Sequence, residues 1–267
     1  MISASFIDEK ASHSQIDRYS IIREYFQFLF LRYFYEVEDT KGIQAYFKGG
    51  TALRFLFDSF RFSEDLDFTC GGAADEVGKV LSALIPKLEA ESGCEILIKD
   101  ERVFEERGVG YRLVFQSHPL LKQPLGVRLD FSFREPPLEP EVSAIEPLGY
   151  PVSPFPLVKH LSAREILTEK VRAIFVRNQP RDLFDLWFLL KRKTEMRWDF
   201  VAKKMEYYPN IPFSREILLK KIEGFKPEEL KKDLNKFLPQ NYREYYPKFV
   251  KETLSLLEAA ENEGDSF

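Results

Sequence analysis

Between Ala45 and Cys70 the sequence reads as a short strand, AYFK, a glycine pair, a helical run and a second strand, DLDFTC. That succession commits this part of the chain to mixed α and β structure. Its last member constrains most, because Asp65 and Asp67 stand one residue apart in an otherwise apolar segment. Alternate residues of a strand share a face, so the two carboxylates project together, roughly 7 Å apart at their Cα atoms, while Leu66 and Phe68 enter a core. Ionised carboxylates side by side repel, and a divalent cation compensates them at least cost, since Mg²⁺ binds one or two carboxylates together with substrate phosphates. Among 43 acidic residues a D-x-D pair also arises by chance, so the motif needs company.

A third carboxylate lies in GVRLDFSF, where Val127, Leu129, Phe131 and Phe133 alternate with Arg128, Asp130, Ser132 and Arg134. Asp130 thus occupies the polar face in mid-strand. Beside the D-x-D strand it would complete a three-carboxylate cluster suited to two-metal phosphoryl or nucleotidyl transfer; elsewhere it is an ordinary solvated acid with Arg128 as a candidate ion-pair partner. Gly49 and Gly50 lack Cβ atoms, so a phosphate can approach their backbone, and the helix starting near Thr51 offers free N–H groups and a positive dipole end. Thr51 either caps that helix or holds a phosphate through its hydroxyl, and Lys48 is at hand for charge. A phosphate cradle followed one helix later by a carboxylate strand is far more specific than either part alone.

At 267 residues, 44% hydrophobic and 15% aromatic, the chain can build a substantial core in one large domain or two modest ones. Cys70 and Cys94 show no CxxC spacing, and His13, His118 and His160 lie far apart, which argues against a disulfide scaffold or a zinc site. The N-terminus has no basic start followed by an apolar core. The most apolar early run, YFQFLFLRYFYE, is too short for a bilayer and is broken by Arg32, so a cytoplasmic protein with no membrane partner is expected.

Residues 17 to 38 read as a long aromatic-rich helix, and three strands are expected in CEILIKDERVF, VGYRLVFQS and GVRLDFSF. Seven prolines between Pro136 and Pro156 rule out a regular helix or central strand there and mark a connection between domains. Beyond it helices dominate, at about 163–176, 181–193, 198–206, 213–222, 227–236 and 242–262. The expected domains are therefore 1–145, with a mixed sheet and flanking helices, and 146–267, mostly helical. From Lys159 to Lys236 there are 19 Lys+Arg against 12 Asp+Glu, a balance of +7, and the remainder carries −11. A basic half suits a polyanion such as RNA, and the same lysines equally serve to solvate helices.

A second block lies in LSAREILTEKVRAIFVRNQPRDLFDLWFLL. Ser162 and Glu165 form an S-x-x-E capping box, and Ile166, Leu167, Val171 and Ile174 mark a buried stripe. Lys170 falls on that stripe, where it either snorkels to water or turns its charge into a cleft. Pro180 fits the first turn of the next helix, on which Asp182 and Asp185 share a face. Asp182 suits the helix dipole, and Asp185 can pair with Arg181 at i, i+4.

The stretch GGTALRFLFDSFRFSEDLDF resembles the signature of the AbiEii-type nucleotidyltransferase toxins, a branch of the DNA polymerase beta-like nucleotidyltransferase superfamily that includes the mycobacterial MenT toxins. The family's GG[S/T]-A-L run is matched by Gly49, Gly50, Thr51, Ala52 and Leu53, and its R-x-S-x-D-x-D strand by Arg61, Ser63, Asp65 and Asp67. Its E-K-x-x-A-x-x-x-R helix and R-D-x-x-D-L segment are matched by Glu169, Lys170, Ala173, Arg177, Arg181, Asp182, Asp185 and Leu186. The two blocks cover most of residues 47 to 190, and the helices beyond about 195 match nothing in the pattern.

The resemblance implies an α/β (α+β) fold of the nucleotidyltransferase type, followed by a helical domain that completes the nucleotide cleft and presents basic surface to the acceptor. It implies Asp65, Asp67 and Asp130 as metal ligands, with Lys170 and Asp182 joining them in catalysis. Lys48, Gly49, Gly50, Thr51, Arg61, Ser63, Lys170 and Asp185 are the expected nucleotide-binding residues. The expected cofactor is Mg²⁺ or Mn²⁺, the substrate an NTP, and the favoured acceptor the 3′ end of tRNA or another RNA, in a toxin with a cognate antitoxin. Rival readings are a nucleotide- or RNA-binding protein without catalysis, a metal-dependent phosphohydrolase or nuclease, and transfer to a protein or small molecule.

Overall fold

A computed structural model describes residues 2–38, 42–103 and 107–262. The chain divides into two compact units, Met1–Leu161 and Ser162–Phe267.

In the first unit, helices α1 (Ala4–Ser14) and α2 (Arg18–Val37) precede β1 (Gln44–Lys48), α3 (Gly49–Leu56), β2 (Asp65–Gly71) and α4 (Glu76–Ser92). Strands β3 (Glu95–Val103), β4 (Gly108–Gln116), β5 (Leu125–Ser132), β6 (Pro140–Ala144) and β7 (Leu157–Leu161) follow. One seven-stranded sheet results, in the order β3-β4-β5-β2-β1-β7-β6. It is mixed: β2 runs parallel to β5 and β1 to β7, and the other neighbours are antiparallel.

Helix α2 is capped by Asp17, whose carboxylate accepts the Ser20 N–H at 3.0 Å, and it buries Tyr25, Phe26, Phe28, Phe30, Tyr33 and Phe34. Phe34 of α2 lies 5.1 Å from Phe68 of β2, which stacks on Phe131 of β5 at 4.9 Å. Phe26 stacks on Phe115 of β4 at 4.1 Å. This aromatic layer takes Leu66, Phe68, Leu129 and Phe131, all 0% exposed, and so turns Asp65, Asp67 and Asp130 to the other face.

The stretch 136–156, expected as a connection between domains, instead supplies an edge strand to this sheet, and β7 follows it; the chain divides at Leu161 rather than near residue 145. An edge position explains how a proline-rich segment pairs at all, since Pro140 has no N–H to give the ladder and none is needed on the open side. Helix α1 is also additional to the sequence expectation; only Ile7 and Ala11 are buried along it, too weak a stripe to read as periodicity.

The second unit is helical: α5 (Ala163–Val176), α6 (Pro180–Lys191), α7 (Trp198–Met205), α8 (Arg215–Glu223), α9 (Pro227–Leu234) and α10 (Tyr246–Asn262), with a 3₁₀ turn at Gln240–Tyr245. Among the described residues no helix is long and apolar enough to cross a membrane.

Candidate active site

The site in the first unit grows from the β1–α3–β2 corner. Helix α3 begins at Gly49, two residues before the position expected, and Gly49 has φ +77°, a left-handed conformation that glycine adopts without strain. A Cβ at residue 49 would also overlap the Asp67 carboxylate, and one at residue 50 would overlap the Arg61 guanidinium. The double glycine is therefore required by two side chains that press on the turn, one acidic and one basic. The N-cap residue of α3, Lys48, makes no side-chain capping hydrogen bond to its first turn.

Thr51 does not cap the helix. It lies inside α3, 1% exposed, and its hydroxyl donates to the Asp65 carbonyl, fastening the helix start to β2. Arg61 is 3% exposed and donates from Nη1 to the Phe62 carbonyl at 3.1 Å, with the Ser63 hydroxyl beside it near Gly50. Gln27 of α2 donates to the Ser63 carbonyl at 3.2 Å, holding this loop from behind. Lys48, at the end of β1, stands directly opposite Asp67.

The parallel pairing of β2 with β5 sets Asp67 opposite Asp130 and Asp65 opposite Arg128. Neighbouring strands lie about 4.8 Å apart, so Asp67 and Asp130 are immediate neighbours on the polar face and Asp65 is one alternation away. All three are half-buried. Arg128 Nη1 approaches Asp65 at 3.9 Å, a long contact between partly exposed groups. Among the described residues no three His, Cys, Asp or Glu side chains are gathered into a ready-made metal cluster. The Asp67–Asp130 pair nevertheless fits Mg²⁺, which takes one or two carboxylates and leaves other positions to phosphates and water.

In the second unit, Ser162 caps α5 by accepting the Glu165 N–H at 3.1 Å. Lys170, 7% exposed, does not snorkel to water: its Nζ lies 2.8 Å from Asp185 and 3.3 Å from Asp182, both 0% exposed. Arg177 grips Asp182 with two bonds of 2.8 and 2.7 Å. Arg181, a candidate partner for Asp185, turns instead to Asp233 at 3.3 Å. A buried site needs such pairing because an uncompensated charge there is costly. Burial alone would raise the Asp182 carboxyl, but the Lys170 charge and the Arg177 bonds outweigh it and hold it below the ordinary carboxylate range.

That depressed value has a sign. Asp182 stabilises the folded unit fully above the ordinary aspartate pKa of about 3.9, and the contribution is lost as pH falls through the lower folded value. Both tryptophans, Trp187 and Trp198, lie in the helical unit, so their fluorescence reports on it alone. An acid titration is expected to show that unit losing stability below about pH 4, and an Asp182→Asn variant to lack this component.

Lys204 is missing from the sequence-based residue set. It is 1% exposed on α7 and pairs with Glu165 at 2.7 Å and Glu169 at 3.3 Å, so Glu169 and Lys170 are neighbours in sequence anchored to different partners. The signal was present: Lys204 follows Phe200 by four residues and therefore lies on the apolar face of its helix.

A family model described as the nucleotidyl transferase AbiEii toxin of a type IV toxin–antitoxin system matches residues 32–262. The chain belongs to the AbiEii family. Among solved structures, this AbiEii chain is similar to MenT4, a nucleotidyltransferase toxin from Mycobacterium tuberculosis, with 18% identity, a TM-score of 0.70, and coverage of 97% of this chain and 90% of that one. It is also similar to JHP933 from Helicobacter pylori, with 23% identity, a TM-score of 0.56, and coverage of 93% and 96%. These likenesses show the fold. Among curated proteins none matches. The AbiEii chain is thus a nucleotidyltransferase toxin of a type IV system, with an antitoxin partner, in a family that uses an NTP and a divalent metal.

Proposed function

We propose that this chain acts in the cytoplasm and transfers a nucleoside monophosphate from an NTP to the 3′ hydroxyl of an RNA, with tRNA the favoured acceptor. The observation that carries this reading is the β2–β5 register, which makes Asp67 and Asp130 one acidic face beside an uncapped helix start and the two glycines. Mg²⁺ held by Asp65, Asp67 and Asp130, or Mn²⁺ in its place, would neutralise charge on the triphosphate and on the attacking and leaving oxygens.

The protein's own groups do the rest. The α3 N–H groups at Gly49 and Gly50 bind phosphate oxygens, and Lys48, Arg61 and Ser63 add charge and hydrogen bonds. Thr51 contributes by holding that helix start against β2. Asp130 orients the incoming hydroxyl and takes up its proton as the oxygen bonds to the α-phosphorus, the bond from that phosphorus to the bridging oxygen of the β-phosphate breaks and pyrophosphate departs. In the helical unit, Asp182 and Asp185 fix the ammonium group of Lys170, the cation offered to the triphosphate, and the excess of lysine and arginine between Lys159 and Lys236 serves acceptor binding.

The test is incubation of the protein with each α-labelled NTP, Mg²⁺ and total tRNA. Label on RNA supports the reading. Phosphate release without transfer would make the chain a phosphohydrolase, and binding without turnover on any acceptor would make it a binding protein.

A further inference from the structure

Beyond the carboxylates, the polar face of the sheet carries a row of cations that strand register alone brings together. Lys99 of β3 stands opposite Arg112 of β4, Arg112 opposite Arg128 of β5, and Arg128 opposite Asp65 of β2. All three cations are exposed. In the next row, Arg102 stands opposite Gly110, and Gly110 opposite Asp130, so no side chain stands between the acid and the outer cation.

Like charges directly opposite on a sheet destabilise it, and here two such pairs follow one another. Among the described residues Lys99, Arg102 and Arg112 have no ion-pair partner, and Arg128 has only the 3.9 Å approach to Asp65. Gly126 gives Arg112 its place, since a Cβ there would meet Arg112 Nε at 2.7 Å. Folding gains nothing from this arrangement; a polyanion laid across the strands would relieve it.

We propose that Lys99, Arg112 and Arg128 form the track on which the RNA acceptor's phosphodiester backbone lies, leading its 3′ end to Asp65 and the metal-binding face. This rests on the reading of the chain as an RNA nucleotidyltransferase. The three cations span about 10 Å at ~4.8 Å per strand, over which one strand of a nucleic-acid helix presents roughly three phosphates. The contacts are to backbone, so the track holds the acceptor without reading its sequence.

The test uses a Lys99→Gln/Arg112→Gln variant in the labelling assay, with a Lys79→Gln/Lys122→Gln variant as a control that removes the same charge off this face. The track variant is expected to raise KM for total tRNA roughly tenfold at low salt and to make the dependence of log KM on log salt shallower by about 1.4, with KM for the NTP unchanged. The control should keep the wild-type salt dependence. If the two variants behave alike while the wild type labels RNA, the track is wrong and the transfer reading stands. If the wild type labels no RNA, that reading fails and the track falls with it.

Discussion

An Asp67→Ala variant is expected to lose nucleotidyl transfer by about 10³-fold or more, equivalent to about 4 kcal/mol of transition-state stabilisation, while keeping its fold. Asp67 has Asp130 directly opposite on one side and Lys48 on the other, so its removal relieves a repulsion as well as forfeiting attraction on a half-buried face. Its melting transition should therefore stay within about 1 kcal/mol of wild type, in keeping with substitutions outside a core. Loss of transfer with an intact melt places Asp67 in the chemistry. A parallel loss of both would make it a structural residue.

Lys170→Met should do the opposite in the helical unit, destabilising it by about 3–5 kcal/mol. Its ammonium group is the shared partner of Asp182 and Asp185, whose side chains are each 1% exposed. Arg177 still holds Asp182 after the substitution, whereas Asp185 loses its 2.8 Å ion pair to Lys170. A Lys170→Met/Asp185→Leu double variant is expected to recover part of the stability, because it removes one of the two buried negative charges that Lys170 compensates. Denaturant melts followed by Trp187 and Trp198 fluorescence measure both; equal stabilities for the single and double variants would contradict the coupling.

The elements that carry the site were legible where local rules decide them. The alternation of Asp65 and Asp67 with Leu66 and Phe68, the polar position of Asp130 and the glycine pair before a helix all follow from periodicity two, periodicity 3.6 and the missing Cβ. What could not be read is anything set by strand register. Sequence gives no reason for β5 to lie beside β2, separated as they are by α4, β3 and β4, yet that pairing puts Asp67 opposite Asp130. The same limit hid the row of Lys99, Arg112 and Arg128, each an unremarkable exposed residue in its own strand. The glycines likewise serve more than phosphate approach, since Asp67 and Arg61 crowd their vacant Cβ positions. In the helical unit the apolar stripe located Lys170 but left open whether it snorkels or turns inward, and it could not show which acids meet it, because Asp182 and Asp185 come from the next helix.

On the proposed reading, β2 and β5 together make one metal-binding face. Mn²⁺ binding, followed by its paramagnetic resonance signal in the presence of an NTP, tests it directly. The wild type should bind Mn²⁺, and Asp67→Asn and Asp130→Asn should each lose most of that binding although they lie on different strands. Full Mn²⁺ affinity in either variant would contradict the claim.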